Sequence, residues 1–436
     1  MLRQVLVLIS TLMFSIYANA QTAEEFASLW DAEHISTIAP SDVRHADLKK
    51  YLEKLKGAGL TVAEVGRSNL GREIYQTEFG SGPLKVFLWS QMHGDEPTAT
   101  SALIDMFAVL QKNRDKGWVK KISETLTIRA VPMLNPDGAE NFQRRNYQGI
   151  DINRDAISLT TPEARLLKQL RDDWNPSIGF NLHNQGALTT AGRSPFQAAI
   201  SLLVVYGDEA KTTNPGLERN LRLAGAITTA LQKFIPGHIA RYSDEWSPTA
   251  FGDNFSAWGT PVILIETGAL HGKDEMFLVK MNFVAFMTAL HALASGSEQA
   301  QDPSAYLRLP PNSSGGLYHY VFRGANIISS PNGSVPLVAD IAVNADRRRG
   351  SFTAPRYIRL IGDLSAIRGL EEYDVSGFNV FHRFGRLRTG ELAELFFYRK
   401  GRFVDWKAAD LEKQFPPDAV FSTGKWIKVD ELLKKK

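Results

Sequence analysis

Apolar positions along the chain follow two periods, and their order predicts the architecture. Lys85-Val86-Phe87-Leu88-Trp89 is a short apolar run of the kind a buried strand makes. A polar loop follows, and then Ala99, Ala102, Leu103, Met106, Phe107 and Leu110 recur as one stripe of a helix. Pro97 suits the first turn of that helix and Asp95 its N-cap. The phrase repeats. Leu126 to Val131 reads as a strand, Thr161-Pro162-Glu163 opens a helix with Leu166, Leu167 and Leu170 on one face, and Ile178 to Leu182 is a further buried strand. Leu202 to Tyr206 and Val262 to Ile265 add strands, and Leu217 to Phe234 and Met276 to Leu293 add helices. Upstream, Thr61 to Val65 and Glu73 to Glu78 flank the turn-rich Gly66 to Gly71 as a hairpin would. Strands alternating with helices predict an α/β fold, a mixed, mostly parallel sheet sandwiched by helices.

Both ends of the chain depart from this texture. Residues 296–316 are rich in Ser, Gly, Pro, Gln and Asn and read as a linker. Beyond them, residues 317–436 predict a small β-rich domain, with strands at Leu317 to Phe322, Leu337 to Val343, Tyr357 to Ile361 and Leu395 to Arg399 and a turn at Pro331-Asn332-Gly333. Its Arg347-Arg348-Arg349 run reads as a solvated loop, and Lys434 to Lys436 as a solubilising tail. At the other end, Arg3, the apolar stretch Val5 to Tyr17 and Ala18-Asn19-Ala20 have the layout of a signal peptide cleaved after Ala20. A membrane anchor would need about 20 apolar residues, and Ser10, Thr11 and Ser15 interrupt this one. The expected address is the periplasm of a Gram-negative bacterium or the exterior, with no membrane attachment after cleavage. The principal domain then spans residues 21–295.

Composition narrows the chemistry. Fifty basic residues against 47 acidic give a net charge of +3, with no block of like charge to suggest nucleic acid. The chain has no cysteine, which removes disulfides, Cys-based zinc sites, iron–sulfur clusters and thiol nucleophiles together. Any catalytic metal must sit on His, Asp or Glu. His93-Gly94-Asp95-Glu96 follows the buried strand ending at Trp89, so an imidazole and a carboxylate three residues apart can face one cation; a surface loop with an N-capping acid is the alternative. His183 ends the apolar run Ile178 to Leu182, and ligands gather at the carboxyl ends of such strands. A hydrogen-bonded structural histidine is the alternative there. Together the three make a two-His-one-carboxylate set whose fourth position is left to water, the open arrangement of hydrolytic zinc. Glu266, after Val262 to Ile265, is either a poorly solvated general base or an ordinary acid at a strand end. The turn Asn135-Pro136-Asp137-Gly138 precedes Arg144-Arg145-Asn146 and Gly149-Ile150-Asp151-Ile152-Asn153-Arg154. An Arg beside an Asn on such a segment can grip a carboxylate, or the segment is a solvated basic loop.

With HGDE, NPDG, RRN, GIDINR, a strand-end His and a strand-end Glu in this order over roughly Val43 to Leu293, the sequence resembles the zinc carboxypeptidases of the M14 peptidase family, the carboxypeptidase A type. The resemblance implies one zinc ion on His93, Glu96 and His183, with Glu266 as general base and acid. It implies that Asn153 and Arg154 bind the C-terminal carboxylate of a peptide substrate and that Arg144 stabilises the oxyanion, Arg145 being the competing assignment. Tyr242 is the nearest match to the family's mobile-loop tyrosine. The family's specificity side chain falls within Phe251-Gly252-Asp253-Asn254-Phe255, where Asp253 would favour a basic residue and Phe251 or Phe255 an apolar one. Asn184-Gln185-Gly186 beside His183 is more polar than in digestive members and points away from their substrates. Two other functions remain open: a zinc amidase or deacylase of the same fold acting on murein peptides or N-acyl amino acids, and a non-catalytic exported binding protein. The leader is directly testable: N-terminal sequencing of protein secreted from the native cell is expected to start at Gln21, and an intact residue 1–20 segment on mature protein would refute it.

Overall fold

The computed structural model describes residues 21–328, 335–345 and 355–435. The proposed leader, the Pro331-Asn332-Gly333 turn and the Arg347-Arg348-Arg349 run lie outside the described residues. The chain divides into two compact units, one running to Ala187 and resuming over Phe196–Asn312, the other comprising Leu188–Pro195 and the residues from Ser313 onward.

The first unit is built on eight strands: β1 (Thr61–Arg67), β2 (Glu73–Gly80), β3 (Leu84–Ser90), β4 (Leu126–Val131), β5 (Ile178–Asn184), β6 (Ile200–Val205), β7 (Ile239–Arg241) and β8 (Val262–Thr267). Their order across the sheet is β1-β2-β4-β3-β5-β8-β6-β7. The central pairs β4/β3, β3/β5 and β5/β8 are parallel, whereas β1/β2, β2/β4 and β6/β8 are antiparallel. The helices are α1 (Ala23–Glu33), α2 (His45–Gly57), α3 (Thr98–Lys112), α4 (Gly117–Thr125), α5 (Pro136–Asn141), α6 (Pro162–Trp174), α7 (Pro215–Gln232), α8 (Phe251–Ala257) and α9 (Glu275–Ser295). This is the mixed α/β architecture that the periodicity predicts.

Covered strands must be apolar on both faces, and these are. Val86, Leu88, Phe180, Leu182, Ile263 and Ile265 face one cluster with the inward residues of α3, α7 and α9, while Phe87, Trp89, Val262 and Leu264 face a second with Phe251 and Phe255 of α8. Helix α9 is long and apolar enough to cross a membrane, yet it lies mostly buried in the first cluster, as a helix that is apolar all round does in a large core.

Local chemistry sets the helix starts. Thr161, Asn214 and Asp274 cap α6, α7 and α9, each side chain accepting a backbone N–H of the first turn, with Pro162 and Pro215 in the position where a missing N–H is harmless. Asn135-Pro136-Asp137-Gly138 is the start of α5 rather than a free turn, because Asn135 Oδ1 accepts the Gly138 N–H at 2.9 Å. Asp95 does not cap α3. That helix begins at Thr98 with Pro97 as its N-cap and no side-chain cap, since the preceding residues are held in a tighter turn by the Glu96 N–H donating to the His93 carbonyl at 3.1 Å.

The stretch read as a linker contributes to the first unit as far as Asn312; its Tyr306 is buried, and its hydroxyl accepts the Val204 N–H at 3.1 Å. The second unit carries a nine-stranded sheet centred on Leu317–Ile328, which pairs antiparallel with Leu337–Ala345 and parallel with Arg368–Asp374 and Phe378–His382. Phe322, Ile341, Phe378, Phe397 and Phe421 fill its core, so the C-terminal region is β-rich as expected.

Asp105 is the fully buried charge of α3, and it ties α1 and the segment after it to that helix. It accepts the Trp30 indole N–H at 2.8 Å, the backbone N–H groups of Ile35 and Ser36 at 2.9 and 2.8 Å, and the Ser36 hydroxyl at 2.6 Å. Burial lifts its pKa above the usual carboxylate range while these donors pull the other way. Replacement by alanine strands all of them, so Asp105→Ala is expected to lower unfolding free energy by on the order of 3 kcal/mol. A urea-denaturation change below about 1 kcal/mol would contradict this role.

Candidate functional site

The site forms where parallel strands end. His93 and Glu96 lie on the loop after β3, His183 at the end of β5, and Glu266 on β8 directly opposite His183 in the strand register. Because β5 and β8 are parallel neighbours, the ladder itself sets the spacing of that histidine and that carboxylate.

Glu96 is the hub. One oxygen lies 2.9 Å from His93 Nδ1, and the other lies 2.7 Å from His183 Nδ1 and accepts the Asn184 N–H at 3.1 Å. The two Nδ1 atoms are 3.2 Å apart, and all three side chains are buried. His93, Glu96 and His183 therefore offer ligand atoms within 4.8 Å of one another. Tetrahedral zinc with bonds of about 2.0–2.1 Å places its ligands roughly 3.3 Å apart, so this donor set fits the ion. On the far side of the ring, His93 Nε2 is 3.1 Å from Asp151 Oδ1, the carboxylate–histidine arrangement that orients a metal ligand.

Charge is arranged to match. Burial disfavours the charged form of His93, but the Glu96 charge and the Asp151 hydrogen bond outweigh it and raise its pKa to about 9. For His183 burial wins, despite Glu96, and its pKa falls. Burial alone would raise Glu96, yet the two histidines hold its carboxyl well below the usual range. Asp151 is likewise depressed, burial being overcome by its bonds to His93 and Arg144.

The loop from Arg144 to Arg154 wraps this centre. Arg144 donates to Asp151 Oδ2 at 2.9 Å and reaches Glu96 at 3.3 Å, so Arg144 faces the ligands, whereas Arg145 is exposed and donates to the Gly149 carbonyl at 3.0 Å. Asn146 Oδ1 accepts the N–H groups of Gln148 and Ile150, and Gly149 supplies the positive φ of 80° that closes the turn. Asn153 Oδ1 accepts the Phe251 N–H at 2.9 Å, placing it at the start of α8, and the exposed Arg154 donates to the Asn153 carbonyl at 2.7 Å. Tyr242 packs against the second cluster; the charge of Glu266, then burial, pushes its phenol up to about 12, which keeps it a neutral donor beside the centre.

Several side chains behave otherwise than their types suggest. Phe251 and Phe255 are core residues, Phe255 lying 4.4 Å from the Trp89 ring. Asp253, in the first turn of α8, accepts the Ser247 N–H at 2.9 Å and so ties the preceding loop to the helix. The polar residues after His183 are fasteners: Asn184 exchanges hydrogen bonds with Thr98, and Gln185 bonds the Ala198 carbonyl and Ser201. Asp151 carries no distinguishing mark in the sequence beyond its place in GIDINR, and its link to His93 appears only in three dimensions. Gly94 is required sterically, because a Cβ there would stand 2.0 Å from the Gly138 carbonyl carbon.

Residues 48–222 match the family model described as zinc carboxypeptidase. Carboxypeptidase 2 of Trichophyton tonsurans is 33% identical over 114 residues, 26% of this chain and 20% of that protein. Carboxypeptidase SOL1 of Arabidopsis thaliana is 26% identical over 141 residues, 28% of each. The match thus spans only 20% and 28% of the length of these two curated relatives. Among solved structures, a metallo-carboxypeptidase from Burkholderia cenocepacia gives a TM-score of 0.47 at 15% identity, covering 58% of this chain and 69% of that one. A metallo-carboxypeptidase from Pseudomonas aeruginosa in complex with (2-guanidinoethylmercapto)succinic acid gives 0.45 at 17%, with the same coverage of 58% and 69%.

If Asp151 orients His93, Asp151→Asn keeps the shape and removes the charge, and zinc affinity is expected to fall tenfold to a hundredfold. Competition with a chromophoric chelator measures this, and an unchanged Kd would remove Asp151 from that role.

Proposed function

We propose, because residues 48–222 match the family model described as zinc carboxypeptidase, that this chain is a metallocarboxypeptidase that releases the C-terminal residue of peptides. The observation that carries the reading is the convergence of His93, Glu96 and His183 with Glu266 placed opposite His183 on the neighbouring strand. Zinc held by these three side chains would supply Lewis acidity, lowering the pKa of a water from about 15.7 to about 7 and polarising the carbonyl under attack.

The remaining work falls to the chain. Glu266 takes the proton of the attacking water and hands it to the leaving amine, a carboxylate being able to serve as base and then as acid in one turnover. Arg144, held toward the centre by Asp151, donates to the oxyanion as negative charge develops there. Asn153 and Arg154 grip the free carboxylate of the substrate and thereby select the last peptide bond. Tyr242 offers its neutral phenol O–H to the bound substrate. The export expected from residues 1–20 would make extracellular or cell-wall peptides the available substrates.

Metal analysis of the purified protein is expected to find about one zinc per chain, with chelator-sensitive release of C-terminal residues. Glu266→Gln is expected to retain zinc and lose about a thousandfold in rate. Near-wild-type turnover in that variant would take the base role from Glu266. Arg154→Ala should weaken hydrolysis of free-carboxylate peptides far more than of C-terminally amidated ones. Hydrolysis confined to N-acyl amino acids or muropeptides in the same assay would replace the peptide reading with an amidase.

A further inference from the structure

Below the metal centre lies a second polar feature that none of the preceding roles uses. Alternate residues of a strand share a face, so Asn181 points to the same side of the sheet as His183, roughly 6.6 Å further down β5. In register with it stand Trp89 on β3 and Leu264 on β8, and Leu203 on β6 continues the row. The row above is His183, Glu266 and Ser201.

Leu264 and Leu203 retain 8% and 7% of their surface, whereas Ile263, Ile265 and Leu202 on the opposite face retain 0%, 1% and 0%. The row that holds Asn181 therefore keeps a trace of surface on the side of the catalytic centre, over an apolar floor, where the opposite face keeps almost none. Asn181 sits in the middle of that floor. It is 1% exposed, and neither its Oδ1 nor its Nδ2 has a hydrogen-bond partner. An amide left in this state costs about 1–3 kcal/mol for each unpaired group, a cost that an arriving polar group removes.

Gly252 of α8 borders this amide closely, since a Cβ there would stand 3.0 Å from Asn181 Nδ2. The next residue back, Phe251, donates its N–H to Asn153. The amide and the pair assigned to the substrate carboxylate thus flank the same helix start.

We infer that Asn181 is a specificity-determining residue that selects a C-terminal side chain ending in an uncharged hydrogen-bonding group, a hydroxyl or a carboxamide; this rests on the carboxypeptidase reading. Trp89, Leu264 and Leu203 bring no charge to the floor, so a charged tip would be buried without a counter-ion. A purely apolar tip would fill the floor but leave the amide unpaired. A tyrosine or glutamine side chain meets both demands.

The test compares release of Tyr, Phe, Gln, Leu, Lys and Glu from matched N-acyl dipeptides by the zinc-loaded full chain. The expected result is a kcat/KM for Tyr over Phe, and for Gln over Leu, of about tenfold or more. Asn181→Leu should bring both ratios to within about twofold of unity. Gly252→Ala, which crowds the amide without removing it, should lower kcat/KM for Tyr and Gln while zinc content and the circular dichroism spectrum stay unchanged, and it keeps the test decisive if Asn181→Leu does not fold. Equal release of Tyr and Phe, a preference for Lys or Glu, or a Tyr preference that survives Asn181→Leu would overturn the inference and leave the carboxypeptidase reading standing. No release from any of the six dipeptides, with zinc bound, would overturn both.

Discussion

A buried carboxylate at the crest of the sheet is the constraint to which the rest of the first unit answers. Removing the charge of Glu96 from water costs several kcal/mol unless cations and donors surround it. Each of its neighbours comes from a different stretch of chain: His93 from the same loop, His183 and the Asn184 N–H from the end of β5, and Arg144 from the loop after α5. Those stretches must all arrive for the charge to be tolerated. The fasteners follow from this need, since Asn184 locks to Thr98 and Gly94 lies against Gly138 so that the two loops can approach closely enough.

A single short loop combines two duties. Asp151 orients His93 through one oxygen and Arg144 through the other, while also accepting the Asn153 N–H at 3.0 Å. The ring of His93, the guanidinium of Arg144 and the backbone at Asn153 are thereby fixed by one side chain. Rigidity of that loop is the shared requirement, and the buried Asn146 provides it from within.

The central strands and the ligand motifs were legible in the sequence because both are local. Apolar runs of strand length announce β3, β5 and β8, and residues that share one loop, such as His93 and Glu96, need no long-range information. What escaped was long-range or weakly patterned. Strand β7 has only three residues, Ile239–Arg241, too few to show a period. Helices α1 and α2 carry mixed surfaces whose apolar residues, Phe26, Trp30, Leu48 and Leu52, reveal a face only against the core they cover. Asp253 and Asn184 look like chemistry by type, but backbone N–H groups and a threonine claim them. Conversely, Asn181 is an ordinary strand residue in sequence, and its unpaired amide is visible only once β3, α8 and β8 close around it.

The division of the chain into units has a consequence for how the β-rich region relates to the rest in evolution and in the laboratory. Leu188–Pro195 belongs to the second unit although it lies between β5 and β6 of the first. The backbone therefore passes from one unit to the other three times, after residues 187, 195 and 312. A module joined by a single hinge can be gained, lost or cut off at one point. Here, ending the chain after Asn312 would strip Leu188–Pro195 of its own unit a few residues downstream of His183, so the first unit is not freed intact by one cut.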